Sequence, residues 1–164
     1  MTFSAFDKKM MNLAIQEALI SISKNEVPIG SVLTKNQKVL GKGHNLSIAK
    51  NDPTAHAEIV TIRNACDKIN NYRLTDTTLY TTLEPCLMCF GAIINSRIDR
   101  LVIGALDEEK GAPISNREFL NKLDLNHKVE IEVGLYGERC SEILKKFFQK
   151  KRLNRKLCPD RGMV

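Results

Sequence analysis

Two short stretches carry residue types that could do chemistry together: Pro85-Cys86-Leu87-Met88-Cys89 and, about thirty residues upstream, His56-Ala57-Glu58. Cys86 and Cys89 stand three apart, so on the first turn of a helix both sulfurs lie on one face and can grip one metal ion. His56 supplies a third ligand. Three protein ligands on zinc leave the fourth tetrahedral position for water, the arrangement of a catalytic rather than a structural site. Glu58 lies two residues from His56, and positions i and i+2 of a helix do not share a face. It therefore reads as a proton carrier beside the metal, not as a further ligand. Helix N-termini favour negative charge, so thiolates placed there are stabilised even before a metal binds.

The elements that must position these residues can be read from periodicity. Phe6, Met10, Ala14, Ile15, Ala18, Leu19 and Ile22 recur at intervals of three and four and predict a first helix from Ser4 or Asp7 to Ser23. Val27 to Leu33 leads into a strand, residues 35–38 turn it, and Val39 to Asn45 returns as the second strand of a hairpin. A polar loop through Asp52-Pro53 precedes a helix over 55–69 whose first turn carries His56 and Glu58. Thr78 to Thr82, rich in β-branched and aromatic residues, predicts a third strand. Pro85 is expected to open a helix to about Ser96, since its missing N–H would be unpaired there anyway. A strand over 100–104, a loop with a short helix over 107–123 and a strand over 129–133 follow. Cys140, Ile143, Leu144, Phe147 and Phe148 mark a last amphipathic helix. Strands alternating with helices predict a three-layer α/β/α sandwich around one five-stranded mixed sheet.

At 164 residues with 43% hydrophobic content, the chain suits one domain with a full core, expected over 1–155, and a flexible tail over 156–164. The apolar runs Gly91 to Ile94 and Leu101 to Ala105 fall far short of the roughly 20 residues of a membrane span. Asp7, Lys8, Lys9 and Glu17 interrupt any signal-peptide core in the first 23 residues, so a soluble cytoplasmic protein is expected. Five cysteines, two of them assigned to the metal, argue against a disulfide framework. The net charge of +6 points to a polyanionic partner, and the charge is concentrated: from Lys145 to Lys156 there are seven Lys or Arg and no acid.

His56-Ala57-Glu58 followed by Pro85-Cys86-x-x-Cys89 matches the signature of zinc-dependent nucleobase deaminases. The flanks narrow the match: Asp52-Pro53-Thr54-Ala55-His56-Ala57-Glu58-Ile59, Asn71-Tyr72-Arg73-Leu74, Thr78-Leu79-Tyr80-Thr81-Thr82-Leu83-Glu84-Pro85-Cys86 and Gly91-Ala92-Ile93-Ile94. From about Val27 to Phe148 the chain closely resembles the bacterial tRNA-specific adenosine deaminases. That resemblance implies a cytidine deaminase-like fold, one zinc ion per subunit and a homodimer. It implies hydrolytic deamination of adenosine to inosine at the wobble position of a tRNA anticodon stem-loop, tRNA-Arg with anticodon ACG. It also implies roles for single residues. Asn45 would hydrogen-bond the flipped base, Ile29 and the backbone at Ala57 would line its pocket, and Asp107 would lie near the bound nucleotide. Phe147, Phe148, Lys150, Lys151 and Arg152 would grip the anticodon loop. The chain departs from the family pattern at Glu109, where Lys is usual, at Ile114, where Gly is common, and at Gln149, where Arg often follows the two Phe.

Two other readings stay open at this level. The same zinc core serves deaminases of free guanine, cytosine or nucleosides, a reading disfavoured by the basic last helix and by Asn71 to Leu74 and Asn95 to Ile98. A non-catalytic, zinc-stabilised RNA-binding subunit would not need Glu58, and a fourth protein ligand such as Cys66 would favour it. His44 reads equally as a packing residue or a site residue. His127 reads as structural, Cys66 and Cys140 as small core residues, and Met10, Met11 and Met88 as core fillers.

Overall fold

Ser4 and Asp7 start the chain's first helix by a reciprocal cap: Asp7 N–H donates to Ser4 Oγ and Ser4 N–H donates to the Asp7 carboxylate. The computed structural model describes residues 2–116, 118 and 125–157. Helix α1 (Ala5–Ser23) is followed by the hairpin β1 (Gly30–Lys35) and β2 (Lys38–His44), a four-residue helix α2 (Ser47–Lys50), and α3 (Ala57–Ile69). Then come β3 (Thr77–Leu83), α4 (Leu87–Asn95), β4 (Arg100–Ala105), β5 (Glu130–Val133) and α5 (Gly137–Leu157). The hairpin turns through Asn36 and Gln37, both at positive φ, which gives the turn the twist that flanking strands need.

The five strands form one sheet in the order β2-β1-β3-β4-β5, with antiparallel pairs on the β2 side and parallel pairs from β3 to β5. It is the expected mixed sheet with helices on both faces. On one face Ile62 and Ala65 of α3 and Phe90, Ile93 and Ile94 of α4 bury Leu33, Leu79, Leu101 and Ile103. On the other, Met10, Met11, Ala14 and Ile15 of α1 and Cys140 of α5 bury Val32, Tyr80 and Val102. Gly30 is required where α1 crosses β1: a Cβ there would run into Ala14 O and the Ala18 amide.

Several local expectations are corrected. The loop before α3 contains α2, and Met88 is partly exposed instead of filling a core gap. Helix α3 begins at Ala57, with His56 as its cap, and α4 begins at Leu87, two residues after Pro85. Pro85 stays outside the helix because its carbonyl accepts the Ala112 N–H at 3.0 Å. The last helix starts at Gly137 and runs through Leu157, so it includes the first residues of the expected tail. The remainder of that tail, with Cys158, lies outside the described residues, as do residues 117 and 119–123 of the loop expected to hold a short helix over 107–123. No helix among the described residues is long and apolar enough to cross a membrane.

Asp7 also pins α1 to the sheet, accepting from Arg100 at 2.7 Å and from the Tyr80 hydroxyl at 2.8 Å, while Arg100 pairs with Glu132. Burial pushes the Asp7 carboxyl up, but the bonds from Arg100, Ser4 and Tyr80 outweigh it and hold it below the usual carboxylate range. The folded protein therefore keeps Asp7 ionised where the unfolded chain has already taken up a proton. Its stabilisation is fully present above about pH 4 and is lost as pH falls through the folded value. Asp7→Asn should unfold at lower urea than the parent at neutral pH, with the difference shrinking below about pH 4; parallel urea titrations across that range check it.

Candidate active site

His56 and Cys86 each occupy the residue just before the first turn of a helix, α3 and α4, with Cys89 in the turn that follows Cys86. Strand β3 delivers Cys86 to this point. The loop before α3 delivers His56: Leu46 N–H donates to Ala55 O at 2.9 Å, and Asp52 takes bonds from the Thr54 amide and hydroxyl. The nitrogen and sulfur donors of His56, Cys86 and Cys89 all lie within 4.8 Å of one another. His56 Nδ1 stands 3.7 Å from Cys86 Sγ and 3.5 Å from Cys89 Sγ. Donors on one tetrahedral ion, at about 2.1 Å for nitrogen and 2.3 Å for sulfur, stand roughly 3.6 Å apart. The three side chains thus fit a single metal ion. Cys66 is not among them; its thiol faces Tyr72 O at 3.8 Å and its side chain packs on the core.

The electrostatics of the sulfurs agree with that fit. A hydrogen bond from Cys89, helped by His56 and opposed by desolvation, brings the Cys86 thiol down to about 4. The bond to Cys86, burial and the nearby Glu58 charge push the Cys89 thiol far up. The sulfurs share one negative charge, and a bound cation is what allows both to be thiolates.

Glu58 is almost wholly buried one residue inside α3, and desolvation raises its carboxyl above the usual range. A carboxyl whose proton affinity is raised in this way is suited to general acid–base work. Thr81 Oγ1 lies 3.4 Å from Glu58 Oε1. Asn45, also buried, accepts the Ala57 N–H through Oδ1 at 2.8 Å, which fixes its amide at the mouth of α3 and leaves Nδ2 to donate to a ligand. The Ala57 N–H is thereby occupied. Ile29 is half-buried and its carbonyl accepts the Asn45 N–H at 3.3 Å, so consecutive hydrogen bonds link Ile29, Asn45 and Ala57. His44 turns the other way, bonding Glu17 at 2.8 Å, and His127 bonds Ile98 O.

Asp107 stands at the exit of β4, where its carboxylate accepts the Glu109 and Lys110 amides. The contact with Cys86 raises the proton affinity of the His56 imidazole, against burial and the Lys110 charge. On α5, Phe147 is buried with Lys151 over its ring at 5.3 Å, while Phe148 and Arg152 are exposed. Gln149 and Lys150 are exposed as well, and none of these residues joins the metal-ligand group.

Two residues of the site escaped sequence reasoning. Glu84, only 2% exposed, accepts the amides of Asp107, Ile114 and Ser115 and so ties the 107–115 loop beneath Cys86. Glu26, equally buried, accepts the Ile48 and Ala49 amides and fixes α2 beside Val27 to Ile29. The available signal was an acid placed directly before Pro-Cys and before Val-Pro, where the chain leaves or enters a buried strand.

Comparison with known proteins agrees with this geometry. A family model of MafB19-like deaminases matches residues 6–152. A tRNA-specific adenosine deaminase of Haemophilus influenzae is 48% identical over 94% of this chain and 90% of its own. One of Buchnera aphidicola is 49% identical, covering 89% and 90% respectively. The chain belongs to the tRNA-specific adenosine deaminase family. A solved structure, described as bearing on tRNA deaminases that edit A to I at the wobble position, superposes with a TM-score of 0.80 at 41% identity over 83% of this chain and 99% of that one. The architecture of this chain is thus the deaminase architecture of the family.

The Cys89 proton must leave when a metal ion binds, and so must any proton that the contact with Cys86 holds on His56. The apparent affinity for added zinc should rise at least about tenfold per pH unit between roughly pH 7 and 9. Competition against a chromophoric chelator measures this, and an affinity flat in pH would contradict binding by a thiolate pair.

Proposed function

We propose that this chain hydrolyses the adenine amino group at the wobble position of a tRNA anticodon to give inosine, with tRNA-Arg as the substrate. The observation that carries the reading is the His56, Cys86 and Cys89 donor set with the buried carboxylate of Glu58 beside it. Relatives that are close over nearly the whole chain bear the name tRNA-specific adenosine deaminase, which favours RNA over a free base. A buried acid at Glu58 weighs against a purely structural metal site.

His56, Cys86 and Cys89 would hold one zinc ion, which supplies Lewis-acid activation of a water at its open position. Glu58 would accept a proton from the attacking water and pass protons to the ring nitrogen and the departing ammonia. Asn45 Nδ2 would donate to the base, Ile29 and Ala57 would bound its pocket, and Asp107 would lie beside the nucleotide. Phe148 offers an exposed ring for stacking, with Phe147 packed behind it, and Lys150, Lys151 and Arg152 offer cations for phosphates. The single deaminase domain would span 1–155 and work in the cytoplasm as a homodimer. Tyr72, in the loop after α3, and Leu87 and Met88, at the start of α4, are exposed apolar residues that would supply surface for a second copy.

Incubating the purified protein with an ACG anticodon stem-loop, and separately with adenosine, cytidine and guanine, should give inosine from the stem-loop; product from the free compounds alone would overturn the reading. Glu58→Gln should keep its zinc and lose about 10²- to 10⁴-fold in turnover, measured by metal analysis and inosine formation. Stem-loop affinity should fall steeply with added salt, and less steeply once Lys150, Lys151 and Arg152 are changed to Gln.

A further inference from the structure

Ser31 and Thr81 stand directly opposite each other across the antiparallel pair of β1 and β3, both fully buried. They lie under α3, where the Thr61 hydroxyl donates to Ser31 O at 3.1 Å. Buried hydroxyls in proteins nearly always have a partner. Ser31 Oγ has none, and among the described residues it is the one buried side-chain polar atom in that condition. An unpaired buried hydroxyl destabilises a fold, and alanine would fill the same space without it.

The residue facing it is the one that reaches Glu58. Thr81 Oγ1 lies 3.4 Å from Glu58 Oε1 and 3.1 Å from Leu83 O. A hydroxyl has one proton and two acceptor positions, so Thr81 can serve only one of these oxygens at a time while its lone pairs stay open to a donor. Directly opposed residues of an antiparallel pair have Cβ atoms about 5 Å apart, close enough for a Ser-to-Thr hydroxyl bond after rotation about χ1.

We propose that Ser31 and Thr81 form a two-hydroxyl chain behind Glu58, with Ser31 donating to Thr81 and Thr81 donating to Glu58 Oε1. Each bond polarises the next and biases the single Thr81 proton from Leu83 O toward the carboxylate. The chain holds the Glu58 carboxylate in one orientation through a cycle in which it must both take and give protons. Both hydroxyls are fully buried, so both are positioning residues. The inference rests on the deaminase reading above.

The test compares Ser31→Ala, Thr81→Val, their double variant and Thr81→Ser for stem-loop turnover, bound zinc and melting temperature. Ser31→Ala and Thr81→Val should each lower kcat about tenfold, with KM and zinc content unchanged. The double variant should be no slower than Thr81→Val alone, and Thr81→Ser should keep most of the parent rate. Ser31→Ala should also lower the melting temperature, because it removes a bonded donor. A Ser31→Ala protein that melts higher and turns over normally would overturn the proposal, as would single losses that multiply in the double variant. A parent protein inactive on the stem-loop would reject the deaminase reading, while the melting temperatures still decide whether the two hydroxyls are paired.

Discussion

Two helices start at the same point in space, and the rest of the molecule depends on that convergence. The N-cap of α3 is His56 and the N-cap of α4 is Cys86, so both helices aim their unpaired amides and positive dipole ends at one cluster of donors. That field favours sulfur as thiolate and carboxylate as anion. Burial of Glu58 pulls its proton affinity the other way. The result is a carboxyl of raised proton affinity beside a donor set suited to a cation.

Everything around the cluster fixes its spacing. Asn45 takes the first free amide of α3, and the loop after β4 is clamped to Glu84 and Pro85, next to Cys86. The clamp leaves no slack: a Cβ on Gly111 would strike the Glu84 carboxylate, so the loop lies flat against it. On the far side of the sheet, the Asp7, Arg100 and Tyr80 network holds α1 in place, and the Gly30 crossing brings α1 against β1 next to Ile29. Together these supports surround the segments that carry the three donors.

The ligands were legible in the sequence because their signal is local. Cys86 and Cys89 are three residues apart, and His56 and Glu58 two, so their relative placement follows from helix geometry once the helix starts are known. The amphipathic pattern of α3 and the apolar strands were legible for the same reason, whereas α1 buries Asp7, Glu17 and Ser21 and leaves Leu19 and Ile22 of its expected apolar face exposed. What was not legible depends on partners distant in sequence. Glu84 finds Ser115 thirty-one residues later and Glu26 finds Ile48 twenty-two residues later, and no period or motif announces such pairings. Pro85 looked like a helix start because proline suits that position, and it was displaced outward by the tertiary bond from Ala112. The roles of Asn45, Asp107 and the α5 residues came from family resemblance, and no pattern within the chain would have suggested them.

The central claim is one ion held by one imidazole and two thiolates, with a fourth position free of protein. X-ray absorption at the zinc edge of the loaded protein tests it most directly. The account predicts two sulfurs at about 2.3 Å and two light atoms at about 2.0–2.1 Å, one from His56 and one from solvent. A shell with three or four sulfurs, or with one, would contradict it.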